Sequence, residues 1–316
     1  MIGGSGFVGK SIETELIRAN YGNVTSVSRS LHKDSQREAE SNGIKYLNWD
    51  IRTKCEMQAN FDTIIHTATP TSSTLMTGQP REMTKMVTQG MQNVIEFASR
   101  HKNPPKVLFT SSGAVYGEMP LELERFPEIW NQLEEPERAR SPYAEGKVLA
   151  ESILNDASKS GKCVGLIARL FTFSGVNIPL DKNFAVGNFV RDAISLRKIY
   201  VRSDGSSIRS YMDDQDLARW LLRILEVGLP EHAYHVGSER PISIRALADI
   251  TARRAGQMLG HDIDVIVQGL VSPFDGTSRY VPSTIKSRAE LDVDEKITLE
   301  ESIDAMIYKA IEKVSQ

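Results

Sequence analysis

Strand-length apolar runs alternate with amphipathic stretches over the first half of the chain. The runs are rich in β-branched residues, and the stretches between them place apolar residues at helical spacing. The predicted strands are 24–28, 44–51, 61–68, 106–112 and 162–169, and the predicted helices are 10–19, 80–100 and 143–159. Strands that alternate with helices in this way predict a doubly wound α/β fold, in which a parallel sheet carries helices on both faces.

The alternation loosens after Arg169. The predicted helices there are 189–196, 215–227 and 245–258, with one short strand at 233–237. We therefore predict two domains, a sheet domain over residues 1–170 and a smaller mixed α/β lobe over residues 171–316. Some segments of the lobe are expected to return to the sheet.

Glycines recur every third residue at the start of the chain, at Gly3, Gly6 and Gly9, and the pattern runs directly into the first helix. Glycine at these places allows a tight turn, a close approach of the backbone to a pyrophosphate, and close packing of the helix on a strand. The second predicted strand then follows where a dinucleotide-binding unit requires it. The pattern predicts a Rossmann-type fold whose cofactor phosphates lie at the helix start, beside Phe7 and Val8.

An apolar first strand should precede this glycine turn, and Met1-Ile2 is too short to form one. In the usual order 3-2-1-4-5-6 that strand is central. Its loss would leave the strands at 24–28 and 61–68 without their common neighbour, with unpaired backbone groups on both. We therefore expect a truncated first strand and a natural start several residues upstream.

The second strand ends in Ser28-Arg29-Ser30, where an acidic residue would hold the ribose hydroxyls of NAD. A serine and an arginine suit a 2′-phosphate instead, which favours NADP over NAD. The alternative is a solvated arginine in a loop.

Two further strand ends are expected at the cofactor. Asp50 and Ile51 close the third strand, where adenine would lie. Thr67 and Ala68 follow the fourth strand, and their small size would let the cofactor approach. His66, just before them, is interpreted as a structural histidine.

A tyrosine and a lysine lie one helical turn apart in Ser141-Pro142-Tyr143-Ala144-Glu145-Gly146-Lys147. Ser141 suits a helix N-cap, and Pro142 suits the first helical position. The lysine charge and the positive helix end would both lower the pKa of Tyr143. Such a tyrosine can pass a proton near neutral pH, as the interconversion of a carbonyl and an alcohol requires. The alternative is a surface helix with an aromatic residue on its buried side.

The fifth strand ends in two hydroxyl residues, Ser111 and Ser112, at the sheet edge where open α/β folds place their chemistry. The long charged segment 118–140 follows. We predict that it forms a wall or a lid over the site.

The composition narrows the classes of function. The chain has 316 residues and a net charge of −3, which gives no reason to expect nucleic acid as a partner. Its two cysteines, Cys55 and Cys163, have no metal-ligand spacing, and its histidines are scattered. No apolar run has membrane-spanning length and no secretory signal is visible, so we expect a cytoplasmic protein without a metal site or a membrane partner.

Taken together, these stretches resemble the extended short-chain dehydrogenase/reductase family that works on nucleotide sugars: the sugar epimerases, 4,6-dehydratases and ketoreductases. The resemblance covers almost the whole chain and lies in the joint order of the motifs. They are Gly3/Gly6/Gly9, Asp50-Ile51, His66-Thr67-Ala68, Ser111-Ser112 with Val115-Tyr116-Gly117, Tyr143/Lys147, Arg209 and Arg279.

The resemblance implies a triad of Ser112, Tyr143 and Lys147. The serine would hydrogen-bond the sugar oxygen, the tyrosine would act on that oxygen as acid and base, and the lysine would hold the nicotinamide ribose. A hydride would pass between the sugar carbon and the nicotinamide of NAD or NADP. Phe171 matches a residue near the nicotinamide. The remaining positions implied for substrate binding are Thr172, Asn188, Arg209 and Arg279.

The leading interpretation is an oxidoreductase or epimerase acting at C4 of a nucleotide-linked sugar, possibly a dTDP-deoxy sugar. Arg29 favours a 4-ketoreductase, because net reduction usually draws on NADPH, whereas a 4-epimerase recycles one NAD. A 4,6-dehydratase is less favoured, since Gly113-Ala114 stands where such enzymes carry carboxylates. The contrasting class is a non-catalytic dinucleotide-binding sensor. The resemblance also implies a homodimer through the helices around 83–98 and 143–157.

Overall fold

The structure, a computed structural model, describes residues 1–29, 43–69, 80–120, 122–128, 141–182, 184–269 and 278–314. The helices in this part of the chain are α1 (Phe7–Arg18), α2 (Pro80–Ala98), α3 (Pro142–Lys159), α4 (Ala185–Leu196), α5 (Asp214–Val227), α6 (Ile244–Leu259), α7 (Ile285–Leu291) and α8 (Leu299–Val314). The longer strands are β1 (Val24–Ser28), β2 (Ile44–Asn48), β3 (Thr63–His66), β4 (Lys106–Ser112), β5 (Val164–Leu170), β7 (Lys198–Val201), β10 (Ala233–Val236) and β12 (Asp264–Val267). The two-residue strands are β6 (Phe173–Ser174), β8 (Ile208–Arg209), β9 (Met212–Asp213), β11 (Ile242–Ser243) and β13 (Arg279–Tyr280).

The main sheet is parallel and has two parts, β2-β1 and β3-β4-β5-β10. Ile2 joins them, because it forms parallel bridges with Val27 of β1 and with His66 of β3. The resulting order, with the start of the chain between β1 and β3, is that of a doubly wound α/β fold. The predicted fold class is confirmed.

The expectation that β1 and β3 lack a common neighbour is wrong at their carboxyl ends. The N–H of Ile2 donates to the carbonyl of Ile65 at 2.7 Å, and the N–H of Val27 donates to the carbonyl of Met1 at 2.8 Å. The N–H of Gly3 then donates to the carbonyl of Val27 at 2.7 Å. The first residues of the chain therefore pair with both strands next to the glycine turn.

Alternate residues of the central strands enter two cores on opposite faces of the sheet. In β4, Leu108 packs into one core, while Val107 and Phe109 pack into the other. The first core also receives α1, α4, α5, α6 and α8, and the second receives α2 and α3. This period of two, with both faces covered, is what a parallel sheet requires.

The second half of the chain adds three small sheets within the described residues. They pair β6 with β9, β7 with β12, and β8 with both β11 and β13. Strand β10 lies beyond residue 170 and still pairs with β5 in the main sheet. The domain division at residue 170 stays a prediction.

The segment predicted as a wall or lid is only partly described. Phe126 is buried, and its N–H donates to the carbonyl of Val281 at 2.9 Å. The prediction for residues 129–140 lies outside the described residues. No helix in the described part of the chain is long and apolar enough to cross a membrane.

Candidate active site

Helix α3 positions the tyrosine and the lysine. Its N-cap is Ser141, whose Oγ accepts a hydrogen bond from the backbone N–H of Ala144 at 3.2 Å, and Pro142 takes the first helical position. Tyr143 and Lys147 follow at a spacing of four, on one face of the helix. The predicted start of this helix is confirmed.

Lys147 is a buried lysine whose side chain reaches the end of β4, with only 1% of its surface exposed. Its Nζ donates to the carbonyl of Thr110 at 2.6 Å and to Oγ1 of Thr69 at 2.8 Å. The same atom lies 5.6 Å from the centre of the Tyr143 ring. Burial lowers the pKa of Lys147 to about 7.

The pKa of Tyr143 is raised to about 12, because burial disfavours the phenolate, and the hydrogen-bonding contact with Ser112 opposes this rise only in part. The expectation that Lys147 and the helix start bring this pKa down is therefore wrong for the protein by itself. The physical reason is that Lys147 is buried as well. Its Nζ is bonded to Thr69 and Thr110 rather than to the phenol, and its own charged form is disfavoured.

A second tyrosine, Tyr280 of β13, also reaches Ser112. Its Oη lies 3.4 Å from Oγ of Ser112 and 3.4 Å from the carbonyl oxygen of Leu170. Gly113 leaves space for it, because a Cβ at that position would lie 2.7 Å from the Tyr280 hydroxyl. Sequence reasoning missed this residue, and the only available signal was its place directly after Arg279.

A buried ion pair lies behind the site. Glu151, one turn beyond Lys147 in α3, accepts hydrogen bonds from Arg169 of β5 at 2.7 and 3.1 Å. Ser111 donates to the same carboxylate. Arg169 also donates to Oη of Tyr116 at 2.7 Å. Sequence reasoning missed this pair, although the spacing of four between Lys147 and Glu151 placed both on one helix face.

The hydrogen bonds continue from Tyr116 to His235. The two side chains meet at 2.6 Å through Nε2 of the histidine, and Nδ1 lies 2.8 Å from the carbonyl oxygen of Ser283. A carbonyl can only accept, so Nδ1 is assigned the proton and Nε2 is the acceptor. Burial lowers the pKa of His235 to about 3, which keeps the ring neutral. The chain of bonds thus ties Arg169 to the segment that follows Tyr280.

The glycine turn fits a pyrophosphate. A Cβ on Gly9 would lie 2.4 Å from the carbonyl oxygen of Gly3, so packing requires glycine there, whereas a Cβ on Gly6 would meet only that same oxygen, at 3.4 Å. Gly6 is the N-cap of α1 and its helix start has no side-chain cap. The first N–H groups of the helix, at Phe7 and Val8, lack intrahelical partners and can bind an anion. The NAD(P) that the fold implies therefore suits these residues.

Two small residues that were predicted at the cofactor, Thr67 and Ala68, follow β3 and pack against the glycine turn. Thr67 donates from Oγ1 to the carbonyl of Ile2 at 3.0 Å. Gly3 has a φ of +100°, and a Cβ there would lie 2.7 Å from the backbone nitrogen of Ala68. The structure brings Thr67 and Ala68 against the glycine turn.

A cleft of about 530 Å³ lies at the carboxyl ends of β1 and β2. It is lined by Arg29, Asn48, Trp49, Asp50, Thr53, Lys54, Glu56 and Met57. Asp50 is paired with Arg52 at 2.5 Å, and this hydrogen bond lowers the pKa of its carboxyl group. Ile51, the next residue, is buried. The structure thus brings Arg29 and Asp50 to one cleft.

The residues expected at the substrate are less closely grouped. Strand β8 pairs with β13, which sets Arg209 opposite Tyr280 and beside Arg279. Burial lowers the pKa of Arg209, whose Nη1 donates to the carbonyls of Ile208 and Ser278 at 2.7 and 3.1 Å. The two arginines thus lie at the strand that carries Tyr280.

The other expected positions lie on β5, its extension and α4. Phe171 is buried, and its ring meets that of His235 edge-on at 4.9 Å. Within the described residues, Oγ1 of Thr172 is buried without a hydrogen-bond partner. Asn188 is bonded within its own helix, because its Oδ1 accepts from Arg191 at 3.1 Å.

The described residues contain no group of three or more histidine, cysteine, aspartate or glutamate side chains that could hold a metal ion. The chemistry available at the site is proton transfer and hydrogen bonding. Ser112, Tyr143 and Tyr280 supply hydroxyl groups, and Lys147 supplies an ammonium group, at the carboxyl edge of a parallel sheet.

Comparison with known proteins identifies the family of the chain. The family model described as "NAD dependent epimerase/dehydratase family" matches residues 1–237. UDP-glucuronic acid decarboxylase 1 of Arabidopsis thaliana is 28% identical over 248 residues, which cover 78% of this chain and 54% of that protein. UDP-glucuronic acid decarboxylase 4 of the same plant is 26% identical over 310 residues, which cover 96% of this chain and 66% of that protein. The chain thus spans about half to two thirds of the length of these relatives.

Solved structures share the fold over the whole length. A UDP-glucose 4-epimerase of Thermotoga maritima, solved with UDP-glucose, is similar with a TM-score of 0.84 and 20% identity, covering 99% of this chain and 98% of that one. RMD of Pseudomonas aeruginosa, complexed with NADPH, is similar with a TM-score of 0.79 and 20% identity over the same shares of the two chains.

Proposed function

The chain belongs to the NAD dependent epimerase/dehydratase family, and we propose that it moves a hydride at C4 of a nucleotide-linked sugar, as a 4-ketoreductase or a 4-epimerase. The observation that carries the proposal is the half-buried pair of Tyr143 and Ser112 beside the buried Lys147. A phenol and a second hydroxyl that meet at one point can bind and protonate a single sugar oxygen.

Tyr143 transfers the proton and Ser112 holds the oxygen. In reduction, Tyr143 gives its proton to the 4-keto oxygen as the C4–H bond forms; in oxidation, it takes the proton of the C4 hydroxyl as that C–H bond breaks. NAD(P), when bound, supplies or accepts the hydride. The residues that would hold it are Gly3, Gly6, Phe7, Val8, Gly9, Arg29, Asp50, Ile51, Thr67, Ala68, Tyr143, Lys147 and Phe171.

The raised pKa of Tyr143 favours the reductive direction. With a pKa of about 12 the phenol is protonated throughout the neutral range, and that is the form that donates to a ketone. Arg29 in the cleft beside β1 supports the same choice, because a guanidinium suits the 2′-phosphate of NADPH. We therefore rank a 4-ketoreductase using NADPH above a 4-epimerase using NAD.

The named relatives favour a second candidate, a decarboxylase of a nucleotide-linked uronic acid. Its chemistry begins with the same step, because oxidation at C4 turns the sugar carboxylate into a β-keto acid, which loses carbon dioxide. Arg209 of β8 and Arg279 of β13 lie on paired strands, and either guanidinium could pair with that carboxylate. A dehydratase is less favoured, because Gly113-Ala114 offers no carboxylate to eliminate water.

The homodimer that the resemblance implies stays a proposal, and the structure adds little support for it. The apolar residues of α2, such as Met83, Met91 and Val94, are buried within the chain itself. On the outer face of α3, Leu149 is a large exposed apolar side chain. Sedimentation at micromolar concentration tests the dimer. A cytoplasmic location also stays a proposal.

A panel of substrates tests the proposed function. The protein is incubated with NADPH and dTDP-4-keto-6-deoxyglucose, with NAD and UDP-glucose, and with NAD and UDP-glucuronic acid, and products are identified by mass spectrometry and NMR. Stoichiometric NADPH loss identifies the ketoreductase, a C4 epimer the epimerase, and carbon dioxide with a UDP-pentose the decarboxylase. Cofactor binding without turnover of any of the three would favour a sensor and contradict the proposal.

A further inference from the structure

Three groups surround the Ser112 hydroxyl. The backbone N–H of Ala114 donates to Oγ at 3.2 Å. The hydroxyl of Tyr143 is a second neighbour, and that of Tyr280, at 3.4 Å, is the third. A serine hydroxyl has one proton and two lone pairs. These three neighbours therefore account for all of its hydrogen-bonding capacity.

The direction of the bonds follows from the carbonyl of Leu170. Tyr280 donates to that oxygen at 3.4 Å, and a carbonyl can only accept. The single proton of the Tyr280 hydroxyl is thereby assigned, so its oxygen accepts the proton of Ser112. The lone pairs of Ser112 are left for Ala114 and for the protonated Tyr143.

We propose that Tyr280 is a positioning residue that directs the Ser112 proton away from Tyr143 until substrate binds. This inference rests on the proposed function, in which Ser112 and Tyr143 act on one sugar oxygen. For Ser112 to donate to that oxygen, or to the phenolate of Tyr143, its hydroxyl must turn away from Tyr280.

The place of Tyr280 is determined by its ring. The ring packs against Phe171 at 4.8 Å and meets Phe126 edge-on at 6.1 Å. The missing side chain of Gly113 provides the space for the hydroxyl. Phenylalanine at position 280 would keep these contacts and remove only the oxygen.

The two bonds of Tyr280 are long, and that length makes the arrangement reversible. At 3.4 Å, an O–H···O contact lies beyond the usual range and is weak. The Ser112 proton is therefore held in one direction, and a sugar oxygen or a phenolate can take it. A shorter bond would make Ser112 a poorer donor to the substrate.

Tyr280→Phe tests the proposal through the pH dependence of turnover. Without the Tyr280 oxygen, the Ser112 proton is free to bond the phenolate, which lowers the pKa of Tyr143. The limb of the kcat/KM profile that reports Tyr143 is expected to move to lower pH, by about 0.5 to 1 unit. Tyr234→Phe is the matched control, because it removes a buried hydroxyl from the first core, away from Ser112. This variant is expected to leave the limb in place. An unmoved limb in Tyr280→Phe, or a shift to higher pH, would overturn the proposal.

A cycle of variants tests the contact without any turnover. If Tyr280 acts through Ser112, then Tyr280→Phe shifts the urea midpoint of unfolding in the wild-type background and has a smaller effect in the Ser112→Ala background. Equal shifts in the two backgrounds would remove the contact on which the proposal stands. An inactive wild type with coupled midpoints would count against the proposed function and leave the contact established.

Discussion

Among single residues of the site, Lys147 and Tyr143 stand out because burial disfavours the charged form of each side chain. Lys147 is buried and has a pKa of about 7, and the half-buried Tyr143 has a pKa of about 12. Tyr143 is thereby held in its neutral form over the neutral and mildly alkaline range, whereas Lys147 is about half protonated near pH 7 and loses its charge above that pH. A site of this kind costs folding free energy, as is common where function requires a buried polar group.

Lys147→Met is expected to abolish turnover and to increase stability at low pH. The folded-state pKa of Lys147 lies below the unfolded value of about 10.4, so the unfolded chain binds more protons between these values. The cost of the lysine is therefore complete below about pH 7 and fades as the pH rises toward 10. Urea unfolding should show Lys147→Met more stable than wild type by about 1 kcal/mol or more at pH 6, and by less at pH 10.

The exposed Lys159 at the end of the same helix provides the control. Lys159→Met should differ little from the wild type in its free energy of unfolding. A Lys147→Met variant that is less stable than wild type at pH 6 would mean that the bonds to Thr69 and Thr110 outweigh the cost of burial.

At the scale of elements, α3 is the organising piece. Tyr143, Lys147 and Glu151 lie at successive spacings of four and therefore face the same strand ends. Tyr143 and Lys147 lie near Ser112 at the carboxyl end of β4. Glu151 anchors the helix to β5 through its ion pair with Arg169. Two successive turns of the helix are thus bonded to the sheet, through Lys147 to β4 and through Glu151 to β5.

Glu151→Gln is expected to lower the free energy of unfolding by about 3 kcal/mol, because it leaves the buried charge of Arg169 uncompensated. Asp249→Asn is the matched control, since it breaks the exposed pair of Arg245 and Asp249 and should cost less than about 1 kcal/mol. Urea unfolding measures both. Equal effects would show that the Glu151–Arg169 pair is not buried as described.

At the scale of the whole molecule, one hydrogen-bonded chain joins the sheet to the C-terminal segment. It runs from Arg169 through Tyr116 and His235 to Ser283. The members come from β5, the turn after β4, β10 and the segment after β13. The position of Tyr280 at the site therefore depends on residues from four distant parts of the chain.

Tyr116→Phe is expected to weaken binding of the nucleotide sugar more than binding of NADP. The hydroxyl serves Arg169 and His235 together, so its loss leaves two buried groups unsatisfied and should cost about 1–3 kcal/mol of stability. Calorimetric titrations with UDP-glucose and with NADP measure the two affinities. Tyr21→Phe, at an exposed tyrosine, is the control with little effect on either. Equal losses for both ligands would indicate a general loss of structure.

The features that could be predicted from the sequence are those whose pattern lies within a short stretch of the chain. The alternation of runs gave the sheet and its helices, and the cap and spacing of α3 gave the face that bears Tyr143 and Lys147, because each signal lies within a few residues. Tyr280 could not be found in this way, since 168 residues separate it from Ser112. The direction of the pKa shift of Tyr143 was predicted wrongly for a related reason, because the burial that raises this pKa arises only in the folded structure.

Transfer of an isotopic label tests the proposed hydride step most directly. The protein is given NADPH carrying deuterium on the transferable position, together with dTDP-4-keto-6-deoxyglucose, and the sugar product is examined by NMR. We predict deuterium at C4 with the wild type, and a loss of at least about a hundredfold in rate with Tyr143→Phe, as expected when a general acid is removed. Tyr234→Phe should transfer the label as the wild type does. Label at another carbon, or unchanged transfer by Tyr143→Phe, would contradict the role assigned to Tyr143.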